Sequence, residues 1–355
     1  MFGILRYILA LMVVQTHLWK ITPWAGNYAV FTFFVLSGYL MTLVLHERYS
    51  FGPSGIGRFL ANRALRIYPP YWAVLVLSAL VAWHLPNIAA AVHRNFSLPA
   101  TGKLWLENVF IIGASHPSKA TLVIPAWSLH IELVFYFLMA LGLSRNRFTV
   151  LLWFSASLAY TVRMSMLHPT EYQFWYYRYF PLQAGSLAFS AGAVLYFIRG
   201  RFRVRPFLAF GAMSVAVGVM IGAGRIWSDI DMLYLQGFYT ALALGFLAVL
   251  ALGAIDSASV PSVLGAIDRR LGDLSYPLFL CHVPVAALVL RLYGAGLYPN
   301  TARFFIIALA ASHLAALIIH AAIESPVNRL RKSVRGNAES HRGTSNLDDK
   351  HEGIF

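Results

Sequence analysis

The chain has 355 residues, 59% hydrophobic and only 12% charged, with a mean hydropathy of +0.63. Soluble domains carry about a quarter charged residues, so this composition excludes one and indicates a polytopic membrane protein. The net charge of +14 does not imply nucleic acid as a partner, because most basic residues sit in short loops between apolar runs, as the positive-inside rule requires.

The first apolar run, 3–19, holds Arg6 and His17 with ten residues between them. At about 100° and 1.5 Å per residue they fall within roughly 20° of one helix face and roughly 16 Å apart along it. An ionisable residue inside a span marks a functional site by default. The plainer reading makes Arg6 a cytoplasmic flank charge and His17 an interfacial residue. No small-residue cleavage site follows the run, so it is expected to be a retained helix and not a signal peptide.

The second run, 28–46, contains Ser37-Gly38, a small-residue pair of the kind that lets helices approach closely. The basic loop 47–67 follows, ending in RFLANRALRIYPPYW. Arg63 and Arg66 are three apart and share a face if the segment is helical. Two adjacent guanidiniums form a fork suited to phosphate, or else a cluster for lipid headgroups. The third run is 68–86. The long loop 87–124 includes WLENVFIIGA at 105–114, expected to be re-entrant or interfacial.

The fourth run, 125–143, opens with IPAWSLHIELVFYF. Glu132 lies in an apolar stretch with Ser128 and Tyr136 one turn to either side. A buried carboxylate needs a partner, and His17 or Arg6 on the first helix is the expected one. Glutamate beside histidine fixes the imidazole tautomer and suits a general base; a structural ion pair fits the spacing as well. Runs follow at 148–166, 179–198, 206–226, 234–255, 276–293 and 303–323, making ten. The aromatic segment EYQFWYYRYF at 171–180 is either an interface belt or a sugar-stacking surface. Pro70, Pro125, Pro181, Pro206 and Pro277 are placed at first turns, where a missing N–H costs nothing. Ser275 and His282 share a face of the ninth helix, where His282 either lines a cavity or satisfies a carbonyl. His313, His320 and Glu324 share a face of the tenth. His320 and Glu324 have ligand spacing but no third ligand is indicated, so no metal is expected. Cys281 is the single cysteine, which excludes an internal disulfide and a cysteine metal cluster.

The loops 47–67, 144–147, 199–205 and 256–275 and the tail 324–355 hold eighteen of the 28 lysines and arginines. They are expected to be cytoplasmic, with both termini. A membrane domain over 1–327 and a disordered polar tail over 328–355 are expected. There is no P-loop, dinucleotide fingerprint or hydrolase elbow. No inverted repeat of the transporter kind is visible either.

In this order, the motifs resemble the acyltransferase-3 family of integral membrane O-acyltransferases, which acetylate extracytoplasmic polysaccharides, lipopolysaccharide O-antigens and Nod factors in bacteria. The matching features are Arg6 and His17, FFVLSGYLM at 33–41, Arg63/Arg66 before IYPPYW, WSLHIELVFY at 127–136, SYPLFLCHVPV at 275–285 and Glu324-Ser325-Pro326. The resemblance covers residues 3–330, without the soluble esterase-like domain that some members add.

It implies an all-α bundle of about ten spans in the bacterial inner membrane and acyl-CoA, usually acetyl-CoA, as co-substrate with no bound cofactor. The acceptor is a glycan or glycolipid hydroxyl; lipid surrounds the protein, and the oligomeric state is open. His17, Arg6 and Glu132 are the implied catalytic residues. Arg63, Arg66, Ser37 and Tyr39 are assigned to the donor, with Trp127, Ser128, Tyr136, Ser275, His282 and Glu324 as secondary candidates. His17 as base oriented by Glu132, or a covalent acyl-histidine, both fit. The rival reading is a transporter or flippase using the same ions as a proton relay.

Overall fold

A computed structural model describes residues 1–113, 120–256, 260–294 and 298–335. It is an all-α bundle: α1 (Gly3–Leu18), α2 (Ala25–Val44), α3 (Pro53–His84), α4 (Pro86–Val92), α5 (Gly102–Phe110), α6 (Ala126–Leu138), α7 (Arg147–Leu167), α8 (Glu171–Gln173), α9 (Leu182–Ile198), α10 (Pro206–Ile226), α11 (Ile230–Met232), α12 (Phe238–Gly253), α13 (Ser262–Tyr293), α14 (Ala302–Ile319) and α15 (Ser325–Arg335). Among the described residues, eight helices are long and apolar enough to cross a membrane. A ninth span results if Glu171–Tyr179 and Leu182–Arg201, bent by 66°, count as one. With α1, an apolar helix of 16 residues, each of the ten predicted runs falls on a helix.

α2 is the central element. It is buried on nearly all sides, which is why its sequence is apolar all round and not amphipathic. It packs against α1, α9, α10, α12 and α6. The crossing with α9 is close because Gly38 and Gly192 face backbone: a Cβ on either would overlap the carbonyl oxygen of Phe189 or Val35. Gly38 is therefore the small-residue contact its sequence suggested. Gly3 and Gly272 do the same for α1 and α13, the Gly272 Cβ position lying 2.9 Å from the Gly3 Cα.

Two expectations change. Pro70 and Pro277 do not open helices; both lie inside the 32-residue helices α3 and α13. The segments 53–67 and 262–275, expected as loops, are the first turns of those helices. A proline inside a helix frees the carbonyl four residues before it, here those of Leu65 and Arg66; next to them the Tyr276 hydroxyl donates to the Ile67 carbonyl at 2.9 Å and ties α13 to α3. The other change is at the chain's end: disorder from residue 328 does not hold for 328–335, which belong to α15. Its Arg331 is fully buried, donating from Nη2 to Asn62 Oδ1 of α3 (3.2 Å). Residues 336–355 lie outside the described residues.

The segment 105–113 is helical up to Phe110, and α5 meets α3 near its midpoint. The hydroxyls of Tyr68 and Tyr71 and the indole N–H of Trp72 donate to the carbonyls of Phe110, Asn108 and Val109. Asn108 Oδ1 in turn accepts from Leu122 N at 2.9 Å, which closes the loop over α6.

Candidate active site

Two polar centres stand one above the other between α1, α2, α3, α6 and α13. One is a cavity of about 950 Å³ of empty space, its open mouth included. Arg6, Ser37, Arg63, Arg66, Ser128, Glu132, Tyr136 and Ser275 all line it. These residues lie on five different helices, and the structure brings them together as the sequence reading required. Its apolar wall includes Val30, Phe33, Phe34, Leu36, Leu129 and Phe279.

Glu132 does not meet His17 or Arg6. Its carboxylate accepts from the Ser37 hydroxyl (2.9 Å) and the Tyr136 hydroxyl (3.0 Å). The expectation that Glu132 orients His17 is therefore corrected: the carboxylate sits on the cavity wall, in the field of Arg63 and Arg66. Nor do Arg63 and Arg66 form a parallel fork. Arg66 Nη1 lies 3.3 Å from Glu324 Oε1 and its guanidinium covers the Tyr276 ring at 5.6 Å. Arg63 Nη2 donates to Asn62 Oδ1 at 3.0 Å while its guanidinium lies 5.8 Å from the Phe59 centroid. Each arginine is held by its own partners, and both still face the same space. Glu324, which also accepts from His320 Nδ1 (3.0 Å), supports Arg66 from behind the cavity.

Arg6 is carried in by the α1–α13 crossing; its Nη2 lies 3.1 Å from where a Cβ on Gly272 would stand. Its buried Nε has no hydrogen-bond partner among the described residues. Three guanidiniums and one carboxylate thus line the cavity, a positive surplus in a largely apolar enclosure, where charges act more strongly than in water. An anionic group is the complementary ligand.

The second centre is a histidine pair. His17 Nδ1 and His282 Nε2 are 2.7 Å apart, with ring centroids 5.0 Å apart and ring planes within 11° of each other. His282 is fully buried. His93, in the loop after α4, meets His17 edge-on at 5.8 Å. Burial, with Lys20 and Arg94 nearby, pushes the His93 imidazole down to about 4, so it is neutral at neutral pH. Phe279 lines the cavity and stands one helical turn before His282 on α13. Phe33 packs on Phe279 at 6.0 Å.

Two predicted residues lie elsewhere. Tyr39 is not at the cavity; it packs on Phe2 at 5.6 Å and under the Arg199 guanidinium at 6.0 Å. Trp127 sits among Phe34, Tyr179 and Phe180. His313 leaves the site as well, bonded to the Tyr7 hydroxyl at 2.5 Å. The sequence reading missed His93, Tyr276, Phe279 and Met41. Tyr276 and Phe279 are in the SYPLFLCHVPV segment already singled out, where helical spacing from Ser275 places Phe279 on the Ser275 face. His93 had no sequence signal, since a loop residue reaches α1 only through the fold.

The fold is a multi-pass helical bundle in which α1 and α13 contribute both to an arginine-lined cavity and to a histidine pair. The chain belongs to the acyltransferase-3 family: the profile described as "Acyltransferase domain" matches residues 2–321. It is 28% identical over 279 residues to the Exopolysaccharide production protein ExoZ of Rhizobium meliloti (strain 1021), covering 75% of this chain and 78% of that one. It is also 32% identical over 145 residues to Protein 2 in picA locus of Rhizobium radiobacter, covering 37% of this chain and 74% of that one. No solved structure matches.

Proposed function

We propose that this membrane acyltransferase moves an acetyl group from cytoplasmic acetyl-CoA to a hydroxyl of an exopolysaccharide or its lipid-linked precursor on the far side of the inner membrane. The observation that carries the reading is the guanidinium-lined cavity, which is built on the same two helices, α1 and α13, as the His17–His282 pair. Coenzyme A is a polyanion with a long, thin arm. Arg6, Arg63 and Arg66 suit its phosphates, and the Phe33–Phe279 end suits the arm that carries the thioester. Arg6 and His17, near opposite ends of α1, separate donor recognition from chemistry. The basic loops support a cytoplasmic mouth and cytoplasmic termini.

In the transfer, the acceptor hydroxyl oxygen attacks the thioester carbonyl while His17 Nε2 takes its proton. The C–S bond breaks, the thiolate leaves and recovers that proton from the imidazolium, and an ester and free CoA thiol result. His17 works as a general base, an effect of about 10²–10⁴-fold. Glu132, with Ser37 and Tyr136, shapes the donor channel instead of touching the base.

The test is transfer of labelled acetyl from acetyl-CoA to chemically deacetylated exopolysaccharide by the full chain in lipid nanodiscs. Label should enter the polysaccharide with equimolar thiol release, and stably inserted His17→Ala should lose at least two orders of magnitude in rate. A His17→Ala protein at the wild-type rate would remove the proposed base. In sealed proteoliposomes of the same protein, labelled acetyl-CoA or glycan crossing the membrane without ester formation would favour a transporter.

A further inference from the structure

The acceptor behind His282 sets the protons of the histidine pair. His282 Nδ1 faces the carbonyl oxygen of Leu278 at 3.3 Å. Carbonyl oxygens only accept, so Nδ1 of His282 carries the hydrogen, and in a neutral ring its Nε2 is then an acceptor. The 2.7 Å contact therefore runs from His17 Nδ1–H to His282 Nε2. His17 is left with an unprotonated Nε2, an atom that holds no hydrogen bond among the described residues and is not one of the buried atoms lacking a partner.

We propose that His282 is the positioning residue of the site: it locks His17 in the Nδ1–H tautomer and aims the Nε2 lone pair at the reacting hydroxyl. A buried neutral imidazole here does what a carboxylate does in a hydrolase triad. In water a histidine prefers the opposite tautomer, and the hydrogen bond at one ring nitrogen decides which is present. When His17 takes a proton at Nε2, its Nδ1–H bond to His282 becomes charge-assisted and strengthens. The bond thus stabilises the state that forms during attack more than the resting state, which is the condition for raising kcat. The helix suits this role. Pro284, just past His282, sits inside α13, and His282 itself has no exposure to solvent, so water cannot take its place.

The role in catalysis rests on the acyl-transfer reading above; the proton positions do not, and the experiment separates them. Solid-state NMR of ring-nitrogen-labelled histidine in nanodisc-held full chain reads the His17 tautomer, assigned by difference against His17→Gln. Wild type should show His17 protonated at Nδ1 only. His282→Leu should shift it toward the Nε2–H form, and His282→Gln, whose side-chain oxygen reaches the Nε2 position, should restore the Nδ1–H form. In the transfer assay His282→Leu should lower kcat about 10²-fold with KM for acetyl-CoA unchanged, and His282→Gln should recover most of it. That is less than the roughly 10⁴-fold lost when a triad carboxylate is replaced and the tautomer is wrong, because an imidazole partner brings no charge. An Nε2–H tautomer in wild type, or a tautomer that His282→Leu leaves unchanged, overturns the proposal. Correct tautomers with no acyl transfer would instead overturn the functional reading and leave the hydrogen-bond assignment standing.

Discussion

Arg66 is expected to have two separable roles, and the structure says how to part them. Its guanidinium pairs with Glu324, whose side chain is only 2% exposed. Replacing Arg66 with leucine leaves that carboxylate buried with His320 as its one hydrogen-bonding neighbour. Breaking a buried pair costs about 3–5 kcal/mol; the arginine's 17% exposure and the remaining histidine put Arg66→Leu near the lower end. Replacing both partners removes the stranded charge, and apolar replacement of a buried pair is often neutral or better. Arg66→Leu/Glu324→Leu should therefore recover wild-type thermal stability in nanodiscs. It should not recover donor binding: losing one charge-assisted contact to phosphate is worth about 1.5–3 kcal/mol, roughly ten- to a hundredfold in acetyl-CoA Kd by calorimetry. A single variant as stable as wild type would refute the burial argument. A double variant with unchanged acetyl-CoA affinity would refute the donor assignment.

The α2–α9 crossing predicts a sharp contrast among glycines. Gly38→Ala should strongly destabilise the protein or prevent its insertion, whereas Gly211→Ala and Gly218→Ala, which have open space at the Cβ position, should be neutral or slightly stabilising; thermal melts of the purified proteins compare them. His93 sets a pH window. Its folded value is about 4 against 6.5 for the free group, so the unfolded chain binds the proton first as pH falls. Stability from this group is full above 6.5 and lost progressively down to 4. His93→Gln should flatten the pH dependence of the melting temperature in that window and leave it unchanged at pH 8.

Helical spacing alone carried much of the site. Arg63 and Arg66, three apart, do face one cavity, as do Ser128, Glu132 and Tyr136 at four-residue intervals. The same rule exposes two misassignments. Ser37 and Tyr39 are two residues apart, about 200° around the helix, so a cavity that takes Ser37 cannot take Tyr39, which turns to Arg199. Trp127 is five residues from Glu132, about 140° away, and faces the aromatic cluster of Tyr179 and Phe180. What spacing could not supply was the choice of partner between helices. Glu132 was the expected neighbour of His17, and chain order gives no sign that His282 takes that place. The outcome depends on how α1 meets α13, a crossing set by Gly3 and Gly272.

That crossing also explains why the helix lengths were misjudged. Proline was read as the start of a span because an exposed helix begins best there. In α3 and α13 the prolines lie mid-helix, with the hydroxyl of Tyr276 on α13 bonded to the Ile67 carbonyl of α3. The two helices thereby hold Arg63 and Arg66 of α3 and Ser275 of α13 around one cavity, where separate loops would have left the arginines free to swing. A cavity built on such rigid elements loses little rotamer entropy when it takes a ligand. The same tie sets Phe279, and one turn beyond it His282, at a fixed height above the arginines. The arginine-lined cavity and the histidine pair are in this way both anchored on α13.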